Sequence, residues 1–165
     1  RSSGGHPVGV LSGKSEMMSM ASPMRMLTGD WARLSGTFSG NTICCRAALA
    51  IIEELKKPGF YETVGRKGSR LRAGLVDALA SAGVPAQVMG EDTVFQPWFT
   101  EEVVVDHRSM LKADSRRNLQ FIDLLLDRGI VKAHEKFFIS AAHSDEDIDY
   151  TIEAIASAAV ELAAV

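Results

Sequence analysis

Between Gly83 and Thr100 the hydrophobic repeat changes from three-and-four-residue spacing to alternation, which restricts the fold to helices gathered around a small sheet. Val84 to Met89 and Val94 to Thr100 are rich in β-branched and aromatic residues. With a turn at Gly90-Glu91-Asp92 between them they predict a hairpin. Pro97 cannot donate to a ladder, so the second strand is expected at an edge or with a bulge. Helical stripes lie on both sides. One runs through Cys44, Ala47, Ala48, Ile51, Ile52 and Leu55 and stops at Lys56-Lys57-Pro58-Gly59. The next, Phe60 to about Ala82, presents Val64, Leu71, Leu75, Ala78 and Leu79, while Arg66, Lys67, Arg70 and Arg72 read as a solvated basic face or as a phosphate patch. Asp114 or Ser115 caps a further helix whose Leu119, Ile122, Leu125 and Leu126 are expected inside and which Gly129 ends.

Shorter elements complete the pattern. Val8 to Leu11, Ile130-Val131 and Phe137 to Ser140 are strand candidates, Ser15 to Met20 a short helix, and Met24 to Ser35 irregular chain. Ser144 with Asp147 three residues later forms a capping-box-like start for a last helix that buries Ile148, Ile152, Ile155, Ala159 and Leu162. Helices on one face of a largely antiparallel sheet give an α+β domain.

The segment Gly36-Thr37-Phe38-Ser39-Gly40-Asn41 is a glycine-flanked turn running into the helix that begins near Thr42. Glycines let backbone approach a ligand, the free N–H groups of a helix start point outward, and a threonine hydroxyl adds a neutral donor. Such a turn suits an anion, and equally it suits a plain helix start with Asn41 as N-cap. Two other segments bear on the choice: Gly4-Gly5-His6-Pro7-Val8-Gly9 near one end, and Glu135 through Ile148, containing Phe138, Ser140, Ala142-His143-Ser144 and Asp147, near the other.

In this order the three segments resemble the class III aminotransferases, pyridoxal 5'-phosphate (PLP) enzymes of fold type I, and most of all their glutamate-1-semialdehyde aminomutase branch. That family carries Gly-Gly-x-Pro-x-Gly, then Gly-Thr-x-Ser-Gly-Asn, then Glu-x-x-Phe-x-Ser-x-Ala-His-Ser/Thr-x-x-Asp-Ile. The resemblance spans nearly the whole chain. It implies an α/β enzyme in which 1–52 is the tail of the large PLP-binding domain, with the interface turn and the start of a linking helix, and 53–165 is the small carboxy-terminal α+β domain. It also implies a Schiff-base lysine directly before Arg1, with the phosphate loop, the ring-stacking aromatic and the aspartate facing the pyridine nitrogen further upstream. The chain therefore reads as the carboxy-terminal part of a longer enzyme, with no catalytic residue of its own.

By the same resemblance Gly36 and Thr37 bind the phosphate of PLP across a homodimer interface, while Ser39 and Asn41 hold the turn. Thr42 stands where many family members carry proline, a position where proline is favoured but not required. Glu135 matches a family glutamate near the substrate and is a candidate for contacting the amino substrate; alternatively it is a solvent-facing residue before a buried strand. Lys136 stands where small residues are common in the aminomutase branch, which argues against glutamate-1-semialdehyde as substrate. The implied reaction moves an amino group from a small-molecule amino donor to a keto acceptor. An aminomutase or racemase on the same scaffold and a non-catalytic homologue are the alternatives.

The remaining signals are coarser. With 46% hydrophobic and 24% charged residues the chain can bury a core, and a net charge of -3 does not suit nucleic acid. No apolar run approaches the roughly 18 residues of a membrane span. Cys44 and Cys45, adjacent on a helix, suit reduced thiols in the cytoplasm better than a disulfide framework, and no metal site is expected. His143 is expected to support the turn before the last helix. The run Met17, Met18, Met20, Met24 and Met26 reads as dimer contact or as core filling. Trp31, Trp98, Phe95 and Phe99 read as core or interface anchors.

Overall fold

The computed structural model describes residues 5–164 and divides into two compact units, one ending at Pro58 and the other beginning at Gly59. The sequence places a division near Ile52. That residue lies inside a helix, α2 (Thr42–Leu55), which runs unbroken to Leu55.

The first unit holds α1 (Ser15–Met18), two single 3₁₀ turns at Ser19–Ala21 and Pro23–Arg25, irregular chain, and α2. Gly4 of the first motif lies outside the described residues. Val8 to Leu11, expected as a strand, is not one: Val10 and Leu11 are exposed and the segment pairs with no strand among the described residues. Alternation alone does not make a strand without a ladder to join. On α2 the stripe is shallower than expected, with Cys44 buried, Ala47, Ala48, Ile51 and Leu55 half-buried and Ile52 exposed.

The second unit contains α3 (Phe60–Ser81), the hairpin β1 (Gln87–Glu91) and β2 (Val94–Trp98), α4 (His107–Met110), α5 (Ser115–Asp127), β3 (Phe137–Phe138) and α6 (Asp145–Ala163). The strand order is β1-β2-β3, antiparallel throughout. Its core joins Leu71, Leu75 and Leu79 of α3 to Phe121 and Leu125 of α5, Ile148, Ile155 and Leu162 of α6, and Phe95 and Phe137 of the sheet. Phe95 and Phe137 stack at 5.3 Å, and Phe99 meets Phe121 edge-on at 5.6 Å. Phe95 and Phe99 are thus core anchors.

Several expectations are corrected here. The hairpin turns at Asp92-Thr93, because Glu91 pairs with Val94 and Gly90 already pairs with Phe95. β2 is central, not an edge; Pro97 is tolerated because β3 covers just Val94 and Phe95 and ends before it. Ile130-Val131 is not a strand, since the Ile130 N–H is used by the Leu125 carbonyl in closing α5 at Gly129. β3 stops at Phe138, short of Ser140. On α5 the buried positions are Asn118, Phe121 and Leu125, and Leu119 and Leu126 are exposed.

The basic face of α3 is not simply solvated. Arg66 and Arg70 bridge to Asp145 and Asp149 of α6, Arg72 reaches Asp92 at 3.5 Å, and Lys67 is buried with its Nζ on the His143 carbonyl. The acidic first turn of α6 complements both the helix dipole and these cations.

Candidate functional site

The turn before α2 is built from its own backbone. The Ser39 N–H donates to the Gly36 carbonyl at 2.9 Å and the Asn41 N–H to the Phe38 carbonyl at 3.1 Å. Gly40 has φ +72°, a conformation that costs glycine little and a side chain more. Asn41 Oδ1 then accepts the Cys44 N–H at 3.1 Å and caps α2. These bonds leave Thr37 at the tip of the turn, exposed, with neither its N–H nor its hydroxyl paired among the described residues. No carboxylate occurs between Gly36 and Asn41. A phosphate group fits this donor set: unpaired N–H and O–H groups beside a helix start and no acidic side chain within the turn.

The second unit holds a cleft of about 590 Å3 among the end of β2, α4, the first turn of α5 and the segment His134-Glu135-Lys136. Glu135 is exposed and lines it, beside Lys136. The segment is pinned from beneath. Lys132, 8% exposed, donates through Nζ to the carbonyls of Ala133 at 2.9 Å, His134 at 3.4 Å and Glu135 at 3.1 Å. The same ammonium lies 5.3 Å from the Phe137 ring centroid. Burial lowers its pKa to about 8, and the nearby Glu135 charge works in the opposite direction. Asn118 Nδ2 adds a bond to the His134 carbonyl at 3.0 Å.

His143 supports the turn before α6: its Nδ1 accepts the Ser140 backbone N–H at 3.2 Å, and the backbone N–H of His143 donates to the Ser140 carbonyl. The Ser144 and Asp147 capping box is formed, and the backbone and hydroxyl of Ser144 hold the Asp147 carboxyl below its ordinary range. Lys132 and Asn118 were not visible as site residues in the sequence. A signal existed for Asn118, a polar residue in step with Phe121 and Leu125 on one helical face.

The family profile of aminotransferase class-III matches residues 2–159. The chain belongs to the class III aminotransferases. It is 36% identical over 153 residues to a glutamate-1-semialdehyde 2,1-aminomutase of Desulfitobacterium hafniense, covering 91% of this chain and 34% of that protein. A glutamate-1-semialdehyde 2,1-aminomutase 2 of Brevibacillus brevis is 34% identical, covering 92% and 35%. The chain thus spans about a third of the length of the curated relatives it matches. Among solved structures, an omega-transaminase from Sphaerobacter thermophilus superimposes with a TM-score of 0.87 at 27% identity, over 99% of this chain and 37% of that one. The fold is that of the fold type I PLP enzymes, as the three ordered motifs imply. No described helix is long and apolar enough to cross a membrane.

Proposed function

We propose that this chain is part of a PLP-dependent class III aminotransferase, about a third of the length of its curated relatives, that moves an amino group between an amino acid or amine and a keto acid or aldehyde. The observation that carries the reading is Thr37, held at the tip of a turn with unpaired donors, in a chain that matches this family from one end almost to the other. When bound, PLP supplies an electron sink for charge that develops on the substrate.

The residues of this chain bind and position. Gly36 and Thr37 hold the cofactor phosphate, whose roughly two negative charges are matched better by several directed donors than by a single point charge. In a homodimer these donors serve the partner subunit's cofactor. The exposed side chains of Met17, Met20, Met24 and Met26 support a subunit contact in the same unit as the turn. Glu135, on a segment pinned by Lys132 and Asn118, contacts the amino substrate. The free thiols of Cys44 and Cys45 suit the cytoplasm.

An aminomutase on the same scaffold is the second reading, favoured by the names of the curated relatives. Lys136 beside Glu135 weighs against glutamate-1-semialdehyde as its substrate. The test uses the full-length protein. PLP is expected to give a visible absorbance band and to raise the melting temperature by mass action. An absolute need for a keto acid in turnover identifies a transaminase, and turnover of one substrate alone an isomerase. A protein that stays colourless and gains no stability with saturating PLP sinks both readings.

A further inference from the structure

Glu135 stands on backbone that no regular element holds. From Val131 to Lys136 the chain is neither helix nor strand, and the carbonyls of Ala133, His134 and Glu135 take their hydrogen bonds from side chains, Lys132 Nζ and Asn118 Nδ2. All three donors of one ammonium are spent on three successive carbonyls. The chain wraps around its own buried cation.

This arrangement costs stability. A charged group only 8% exposed has lost most of its hydration, and an apolar side chain would lie against the Phe137 ring without that penalty. What only the cation provides is the shape of the segment. A neutral amine has two N–H groups and a lone pair, so it cannot donate to three carbonyls, and its lone pair would face one of them. The titratable groups around Lys132 are His134, Glu135 and Lys136 beside it in sequence and, lining one cavity with it, His143, Asp147 and Tyr150. Burial disfavours the charged form, and the Glu135 charge favours it.

We propose that Lys132 is a positioning residue for the amino substrate: its ammonium shapes the turn that presents the Glu135 carboxylate, an assignment that rests on the reading of Glu135 as the substrate contact. Lys132 touches no substrate itself and acts through Glu135. Affinity for the amino donor then follows the charge of a buried lysine. With the Lys132 pKa at about 8, KM is expected to rise above that pH as the ammonium gives up its third bond, while kcat is spared.

The full-length protein loaded with PLP tests this, with β-alanine and benzylamine as amino donors and pyruvate as acceptor. At neutral pH Lys132→Met is expected to raise KM about tenfold and to change kcat little, as for loss of hydrogen bonds from a charged group. Glu135→Gln is expected to raise KM as well, and the double variant no further than Glu135→Gln alone, because one residue acts through the other. Lys132→Arg stays charged throughout; it keeps KM closer to native than Lys132→Met does and lacks the rise above about pH 8. A merely structural lysine would move none of these. Independently of turnover, a glutamyl endopeptidase should cleave after Glu135 faster in Lys132→Met than in the native protein at the same pH, since cleavage follows the population of opened segment.

Additive effects of Lys132→Met and Glu135→Gln on KM overturn the proposal, as does a loss confined to kcat, or a rise in KM with pH that Lys132→Met still shows. Native KM in Glu135→Gln overturns it too and leaves the aminotransferase reading standing. If Lys132→Met does not fold, the pH profiles of the native protein and Lys132→Arg decide the matter. If neither donor is turned over, the cleavage comparison decides it, and equal rates overturn the proposal. A protein that binds no PLP removes this proposal together with the aminotransferase reading.

Discussion

The Nζ of Lys67 donates to the carbonyl of His143 across 2.5 Å, tying the middle of α3 to the residue just before the N-cap of α6. Because Lys67 is buried, its removal would strand that carbonyl and open a gap beside it. Lys67→Met is expected to destabilise the full-length protein by about 1–3 kcal/mol. Chemical denaturation checks this, and an unchanged midpoint would mean that water replaces the ammonium without loss.

Gly68 faces the hairpin turn more tightly than any side chain allows. A Cβ there would stand 1.9 Å from the Asp92 carbonyl oxygen, which is backbone and cannot swing aside. Gly68→Ala is expected to cost about 2–4 kcal/mol, in the range of strongly overpacked sites. Gly74→Ala, where a Cβ would meet the side chain of Ile152 at 2.8 Å, should cost less, since that side chain can change rotamer. Comparing the two melting temperatures separates backbone from side-chain conflict.

Lys132 gives stability a specific pH dependence. Its folded pKa lies at about 8 against 10.5 for the free side chain, so between these values the unfolded chain holds more protons than the folded one. Stability contributed by this group therefore rises as pH increases from about 8 to 10.5, and below 8 the buried charge weighs against folding. Lys132→Met should flatten that rise in denaturation midpoints measured across the window. A parallel rise in both proteins would assign it to other groups.

Thr37→Ala is expected to weaken PLP binding by about 1–3 kcal/mol, as for loss of a hydrogen bond to a charged group. Mixing this variant with subunits that lack the Schiff-base lysine distinguishes shared from private sites. If Thr37 serves the partner's cofactor, each hybrid dimer has one doubly defective and one intact site, and half the normal activity returns per hybrid. If it serves its own subunit, every hybrid site is defective. Unaltered PLP affinity in Thr37→Ala alone would leave the turn as a plain helix start.

What could be read from the sequence was mostly local chemistry. Asn41, Asp114 and Ser144 cap the helices assigned to them, and Gly129 ends α5 as its left-handed backbone requires. The misread features depend on partners far along the chain. Whether Arg66 and Arg70 point to water or to Asp145 and Asp149, and whether β2 is an edge, is decided by α6 and β3, which no window around α3 or β2 contains. The cleft is not legible in the sequence for the same reason: its lining comes from the end of β2, α4, α5 and the segment 134–136, which lie far apart along the chain. The Gly36 to Asn41 turn is legible because each of its bonds, including the cap on Cys44, joins residues three apart.

The bridges from Arg66 to Asp145 and from Arg70 to Asp149 each join positions 79 residues apart. Closing a loop of that length comes before any reward from the contacts it brings, so the union of α3 with α6 belongs to a late stage of folding. On a ribosome, Leu71, Leu75 and Leu79 would wait uncovered until α6 emerged, an interval in which a chaperone has an apolar stripe to hold. Arg70→Ala should accordingly speed unfolding and leave the refolding rate nearly unchanged, which stopped-flow kinetics can measure.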